Sequence, residues 1–359
     1  MRRTASKIYG IRSTPHYLKY RFFEKKLSLW KEYLDNNERR VLQFLAVPPG
    51  SLTITSNKAN FARRCSESNI PVPMIKCLYS KHGFDKNLGI NAFREETEFA
   101  NYIRSFCDGS YLIKPITGRH GDGIVKFEVC GSNLIDKDGR DTTANQLIED
   151  SCSNPYGDYG LMVQEFVRPH RDLQPIMNGP GLGTIRFVTL RSPDGDACIP
   201  WAVIKLPLRD SISDNFSGGE TGNLIAAIDV ESGRILRAVG KNPERGLLEE
   251  VIEHPETHTT LSGYKLPAWR STLKHVRAAT RAFGEFPSLG WDVAISDKGP
   301  VVIEMNTYWC CELIQIAYDR GIREEILSHY ALYGIDLSQH DEILGYLNTD
   351  EGRAAERGL

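Results

Sequence analysis

Apolar residues recur along this chain at two periods, and the switch between them marks its organisation. In SNKANFARRCSESNIPVPMI, residues 56–75, Phe61 and Cys65 stand four apart on one face of a helix that ends near Asn69. The run Pro71-Val72-Pro73 then forces an extended exit into a strand. A second helix is expected in AFREETEFANYIRSF, residues 92–106, where Phe93, Phe99, Ile103 and Phe106 form a loose helical stripe. The period then drops to two.

Short strands are expected at SYLIKP (110–115), GIVKFEVC (123–130) and GLMVQEFV (160–167), a small central sheet with one glycine-rich loop, ITGRHGDG. Further strands follow at GTIRFVTL, CIPWAVIKLP and NLIAAIDV; the helix STLKHVRAATRAFGEF leads into the hairpin GWDVAISDKGPVVIEMN. A helix at EEILSHYALYG precedes a polar tail, residues 348–359, expected to fray. Strand runs separated by isolated helices predict α+β lobes rather than a wound parallel sheet.

Composition narrows the function classes. With 359 residues, 41% hydrophobic and 25% charged, the chain is globular material with room for two or three lobes. A formal net charge of −2 gives no chain-wide basic field for binding nucleic acid. The first forty residues are locally basic and aromatic, which suits either a solvated helix packed on the body or peripheral contact with an anionic membrane surface. They lack the apolar core of a signal peptide, and no later run approaches the roughly 18 apolar residues of a transmembrane span, so a soluble cytoplasmic protein is expected. Eight cysteines occur without a Cys-x-x-Cys pair, which predicts reduced thiols; the neighbours Cys310 and Cys311 read as a partly buried pair of small hydrophobes or as a redox pair.

Chemistry concentrates where apolar strands end in polar residues. The hairpin turn falls at Ser296-Asp297-Lys298-Gly299, and counting back from it places Asp292 opposite Ile303 or Glu304. Glu304 and Asn306 share a face by alternation, and Asp292 joins them if the register permits. Two carboxylates and an amide oxygen so placed repel one another without a cation between them, and hard oxygen ligands suit Mg²⁺. An ordinary exposed strand end is the other reading of the hairpin alone.

Upstream, Lys114 ends a strand and is followed by Gly118, Gly121 and Gly123, which would let backbone N–H groups approach phosphate oxygens. No Gly-Lys-Ser or Gly-Lys-Thr follows, so this is not a P-loop. Glu165, Phe166 and Val167 end the strand LMVQE and could present backbone groups and apolar side chains to an adenine ring. Arg186 and Lys205 interrupt apolar strands, which requires that each meet an acid or a polar cleft. The loop SDNFSGGETGNLI, carrying Asn215, could close over a phosphate.

As an ordered set these residues resemble the ATP-grasp superfamily. The set runs from the lysine of NKANF through Lys-Pro with its glycine loop, QEFV, IRFVTL and DNFSGGE to Asp292 and Glu304-x-Asn306. The wording HPETHTTLSGYKLPAW before the hairpin is most similar to the sugar-transfer-associated, α-L-glutamate ligase-related branch, over roughly residues 57–307. The resemblance implies an ATP-grasp fold in which two α+β lobes clasp the nucleotide, with a helical N-terminal segment. It implies a basic segment at 1–56, an N-terminal α/β part at 57–108, a central lid subdomain at 109–168 and a C-terminal subdomain at 169–359.

Carried over by motif, Lys58 and Lys114 would contact phosphates, with the Gly118–Gly123 loop over them and Glu165, Phe166 and Val167 at the adenine. Asp292, Glu304 and Asn306 would hold Mg²⁺, while Arg186, Lys205 and Asn215 would serve the γ-phosphate and the acceptor. After QEFV no clear ribose acid follows; RPHRDLQP offers only His170 and Asp172. The implied reaction is ATP-dependent ligation of a small-molecule carboxylate to an amine through an acyl phosphate. Phosphotransfer to a hydroxyl by the same clamp is the alternative. A nucleotide-binding module without catalysis is disfavoured by the intact Asp292, Glu304 and Asn306.

Overall fold

The computed structural model describes residues 14–84, 89–118, 123–153, 157–209 and 211–357. They form two compact units, Thr53–Arg168 and Met1–Leu52 with Pro169–Leu359. Each unit carries its own seven-stranded sheet. Among the described residues only β1 (Ile75–Tyr79) and β2 (Asn91–Phe93) run parallel; every other strand pair is antiparallel, in line with the expectation of α+β lobes rather than a wound parallel sheet.

The first sheet continues through β3 (Gly109–Pro115), β4 (Val125–Cys130), β5 (Asn133–Asp136), β6 (Asp141–Thr142) and β7 (Leu161–Glu165), in the order β2-β1-β7-β3-β4-β5-β6. Tyr111, Ile113, Phe127 and Val163 bury one face against Phe99 and Ile103 of helix Glu96–Arg104 and Leu147 and Ile148 of helix Ala144–Cys152. Both helices are amphipathic, so each covers the sheet with one apolar stripe. Lys114 and Leu112 alternate to the other face. Their cross-strand partners, Met162 and Gln164 on β7 and Lys126 on β4, share it.

The second sheet is built from β8 (Ile185–Arg191), β9 (Ala197–Leu206), β10 (Leu224–Ile228), β11 (Ile235–Lys241), β12 (Leu248–Glu250), β13 (Ser288–Ser296) and β14 (Gly299–Asn306), in the order β12-β11-β10-β9-β8-β13-β14. Helix Trp269–Ala282 and the residue after it pack aromatic rings on one face, Trp269 at 5.5 Å from Phe187 and Phe283 at 5.5 Å from Trp291. The opposite core joins Val188, Trp201, Val203, Ile225 and Val239 to Ile314 of helix Cys311–Tyr318 and to Phe22, Trp30 and Leu34 of the N-terminal segment.

Those aromatics pack the N-terminal segment on the body, though through a short helix and 3₁₀ turns rather than one solvated helix. Arg21 lies in the left-handed region at φ 50° and ends the helix Thr14–Lys19. Two 3₁₀ turns, Phe22–Glu24 and Leu27–Glu32, then turn Phe22 and Trp30 into the core. Burial of each such ring contributes roughly 1.5–3 kcal/mol. The first thirteen residues, which hold much of the basic character, lie outside the described ones.

Two further expectations are corrected. Phe93 belongs to β2 rather than to the helix; it reaches Phe99 at 6.2 Å through packing, not through helical spacing. The tail forms helix Asp350–Arg357, tied back by Arg40 Nη2 to Glu356 Oε2 at 2.7 Å, so residues 350–357 are packed and not frayed. Cys311 is buried and Cys310 exposed, which agrees with a partly buried pair of small hydrophobes. Among the described residues no helix is long and apolar enough to cross a membrane.

Candidate functional site

The hairpin β13–β14 contains the feature that composes the site. Pairing is regular from Ser296↔Gly299 to Val293↔Val302, and then a bulge at Ile303 places Asp292 opposite Glu304. Without the extra residue Asp292 would face Ile303, and Glu304 would point through the other side of the sheet. With it, Asp292, Glu304 and Asn306 share a face.

Arg186 is the partner of Asp292 across β8, so Arg186, Asp292 and Glu304 form a row over three adjacent strands. Arg186 donates through Nε to Asp292 Oδ1 at 2.8 Å and through Nη2 to Oδ2 at 2.9 Å, a bidentate fork. Lys205, near the end of β9, brings Nζ to 3.4 Å from Asp292 Oδ1 and 3.1 Å from Asp214 Oδ1. Asn306 Nδ2 approaches Asp292 Oδ2 at 3.5 Å. The row lies on the same face as Val188 and Val203, where the apolar core gives way to a polar floor.

Burial sets its electrostatics. Asp292 is 4% exposed, and burial alone would push its carboxyl up. Arg186 and then Lys205 outweigh that and hold it well below the usual carboxylate range. Burial would likewise lower Lys205, but Asp214 and then Asp292 raise it. Arg186 is raised by Asp292 and, more weakly, by Glu304, against burial. All three are therefore ionised at neutral pH.

The positive charge that the clustered carboxylates require is thus supplied for Asp292 by the chain itself. Glu304 differs. Its half-buried carboxylate makes no hydrogen bond or ion pair among the described residues, and the Oδ1 of Asn306, two residues on, is also uncommitted. Those two oxygen donors fit a hard cation. Among the described residues no group of three or more acidic, histidine or cysteine side chains could hold a metal alone; Mg²⁺ takes few protein ligands and completes its shell with phosphate and water.

Asp214 and Thr184 were not singled out in the sequence, although a lysine inside an apolar strand signals a nearby acid. Thr184, just before β8, donates its N–H at 2.9 Å and its hydroxyl at 2.5 Å to Asp214 Oδ2. Asn215, the next residue, is half-buried, and its side-chain amide makes no hydrogen bond among the described residues.

The unit Thr53–Arg168 gathers the remaining candidates. Asn57 caps helix Lys58–Glu67 by accepting from the N–H groups of Ala59 and Asn60, which fixes Lys58 at the first helical position. A cation at that end opposes the helix dipole. Lys58 Nζ instead donates to the carbonyl of Gly118 at 3.0 Å, and its N–H to that of Ile116, so it sits at the mouth of the glycine loop after β3. Lys114 is 5% exposed. Gly118 and Gly123 have φ of 115° and 72°, conformations that only glycine takes readily; Gly121 lies outside the described residues. Glu165 points to the face opposite Lys114 and pairs with Lys76 at 2.7 Å, whereas Phe166 lies under Lys126 Nζ, 4.6 Å from the ring centre. The N–H groups of Glu165 and Phe166 are engaged by the carbonyls of Met74 and Ser110, while that of Val167 has no partner among the described residues. Asp172 is exposed and belongs to the other unit.

The protein family described as sugar-transfer associated ATP-grasp matches residues 44–330. The chain belongs to that family. No curated protein matches the sequence. Among solved structures, this ATP-grasp chain is similar to an L-amino acid ligase from Bacillus licheniformis, with 12% identity and a TM-score of 0.42 over 82% of this chain and 51% of that one. It is also similar to D-alanine-D-alanine ligase from Helicobacter pylori, with 10% identity and a TM-score of 0.40 over 77% and 58%. An ADP complex of N5-carboxyaminoimidazole ribonucleotide synthetase gives 10% identity and a TM-score of 0.43 over 78% and 54%. The chain spans about half the length of these relatives. Membership of the ATP-grasp family rests on the match over residues 44–330, which contains the whole row from Arg186 to Asn306.

Proposed function

We propose that this protein is an ATP-dependent carboxylate-amine ligase that joins two small molecules through an acyl phosphate. The observation that carries the reading is the row in which two buried cations, Arg186 and Lys205, flank Asp292 while Glu304 and Asn306 keep free oxygen donors beside it. Such a row matches what transfer of a phosphoryl group to a carboxylate demands: fixed positive charge and little covalent chemistry from the protein.

In this reading the acceptor carboxylate attacks the γ-phosphorus of ATP and ADP leaves. An amine then attacks the acyl carbon and displaces phosphate. Arg186 and Lys205 stabilise charge on the transferred group and orient the acceptor, with Asn215 beside them. Lys58, Lys114 and the glycine loop bind phosphates, and Phe166 and Val167 receive the adenine, with Glu165 contributing only through its backbone. Asp172 is the remaining candidate for the ribose. Glu304 and Asn306 would hold Mg²⁺, with Asp292 sharing an oxygen, and that ion would offset charge on the phosphate oxygens. No side-chain nucleophile is required.

The test is incubation with ATP, Mg²⁺, candidate carboxylates and hydroxylamine. Carboxylate-dependent ADP release with hydroxamate formation supports ligation. A stable phosphorylated product without hydroxamate replaces it with phosphotransfer.

A further inference from the structure

Lys205 has four rotatable side-chain bonds and emerges from an apolar strand, yet its ammonium is fixed between two carboxylates on different elements, at 3.1 Å from Asp214 and 3.4 Å from Asp292. An ammonium has three N–H donors. One is donated to Asp214 Oδ1 and a second lies within ion-pair distance of Asp292 Oδ1, which leaves a third for an incoming anion.

Asp214 is itself fully committed. Its Oδ1 faces Lys205, and its Oδ2 receives both the N–H and the hydroxyl of Thr184, the residue that precedes the strand bearing Arg186. Arg186 already takes both oxygens of Asp292, so Asp214 is the partner whose removal leaves Lys205 with only a shared oxygen. The side chains of Lys205 and Asp214 are only 11% and 16% exposed, so water compensates poorly for a lost partner.

We propose that Asp214 is a positioning residue: braced by Thr184, it aims the third donor of Lys205 at the phosphoryl or carboxylate oxygen of the substrate, without touching the substrate itself. The role rests on the phosphoryl-transfer reading of the row. It adds a residue outside the ligand set, on the loop that also carries Asn215, and so links the placement of that loop to the aim of Lys205.

The experiment compares wild type with Asp214→Asn, Thr184→Val, Lys205→Met and the double variant Asp214→Asn/Lys205→Met, all full-length. Asp214→Asn keeps the shape and an acceptor for Thr184 but removes the charge facing Lys205. It is expected to lower kcat for ADP release by about a hundredfold, the scale of a 1 Å misplacement, with KM for ATP nearly unchanged. Thr184→Val is expected to fall between it and wild type. In the Lys205→Met background the Asp214→Asn change should have no further effect, because the residue acts through Lys205. An equal loss in both backgrounds, or full activity in Asp214→Asn, overturns the proposal.

A second readout needs no turnover. The ¹⁵N–¹H signal of the Lys205 ammonium, identified by its disappearance in Lys205→Met, should be sharp in wild type and lost in Asp214→Asn; persistence in Asp214→Asn overturns the proposal. A wild-type protein that releases ADP without hydroxamate removes the ligase reading and leaves this comparison standing.

Discussion

Asp292 and Glu304 face each other directly across β13 and β14, yet only Asp292 is neutralised by the chain, through the guanidinium of Arg186. One carboxylate is therefore part of the fold, and the other is available to a ligand. That difference makes their substitutions diverge.

Asp292→Asn leaves Arg186 and Lys205 as buried cations without adequate compensation. Breaking one side of a buried pair costs about 3–5 kcal/mol. Chemical denaturation should show a loss of that size, and a variant as stable as wild type would contradict the ion-pair assignment.

Glu304→Ala removes a half-buried carboxylate that bonds to nothing else described, so stability should change by no more than about 0.5 kcal/mol. ATP turnover, in contrast, should fall by at least about a hundredfold, the usual cost of losing one transition-state charge contact. Retention of full turnover removes Glu304 from the metal set.

Gly290→Ala tests the packing beneath the row. A Cβ at Gly290 would lie 2.6 Å from Trp309 Cβ and 3.2 Å from Arg186 Cδ, and the tryptophan is fixed in the core. Overpacking of this kind costs about 1–3 kcal/mol, and here it should also displace the Arg186 fork and slow turnover. A thermal melt with parallel kinetics measures both.

His254 gives a pH dependence with a definite sign. The residue is fully buried, burial lowers its pKa below the ordinary histidine value against a smaller opposing effect of Glu256, and its Nδ1 accepts the N–H groups of Glu256 and Thr257. The unfolded chain thus binds a proton more readily than the folded one. Stability is full above the unfolded value near 6.5 and declines as pH falls below it. His254→Asn keeps an acceptor for the two N–H groups but cannot titrate. Urea midpoints between pH 8 and 5 should decline less in that variant, and identical slopes would refute the assignment.

Much of the site was legible because local rules were broken where chemistry is needed. Arg186 and Lys205 stand out in apolar strands because a charge there requires a partner, whereas Lys58 was placed only by the family resemblance. The partners were less legible. Asp214 looks like any loop acid, and nothing in its neighbourhood announces that Thr184 and Lys205 converge on it.

The alternation of apolar and polar residues by itself determined most of the strands, the helix around Phe99 and Ile103 and the hairpin that carries Asp292, Glu304 and Asn306, since each follows from which side chains must leave water; helix Ala144–Cys152 was not legible from it. Only the tertiary structure decided the bulge at Ile303 that moves Glu304 onto the face of Asp292, and the choice of Arg186 as the cation that pairs with Asp292. Register and ion pairing depend on contacts between segments distant in the chain, here 106 residues apart for Arg186 and Asp292, and no local pattern encodes that meeting.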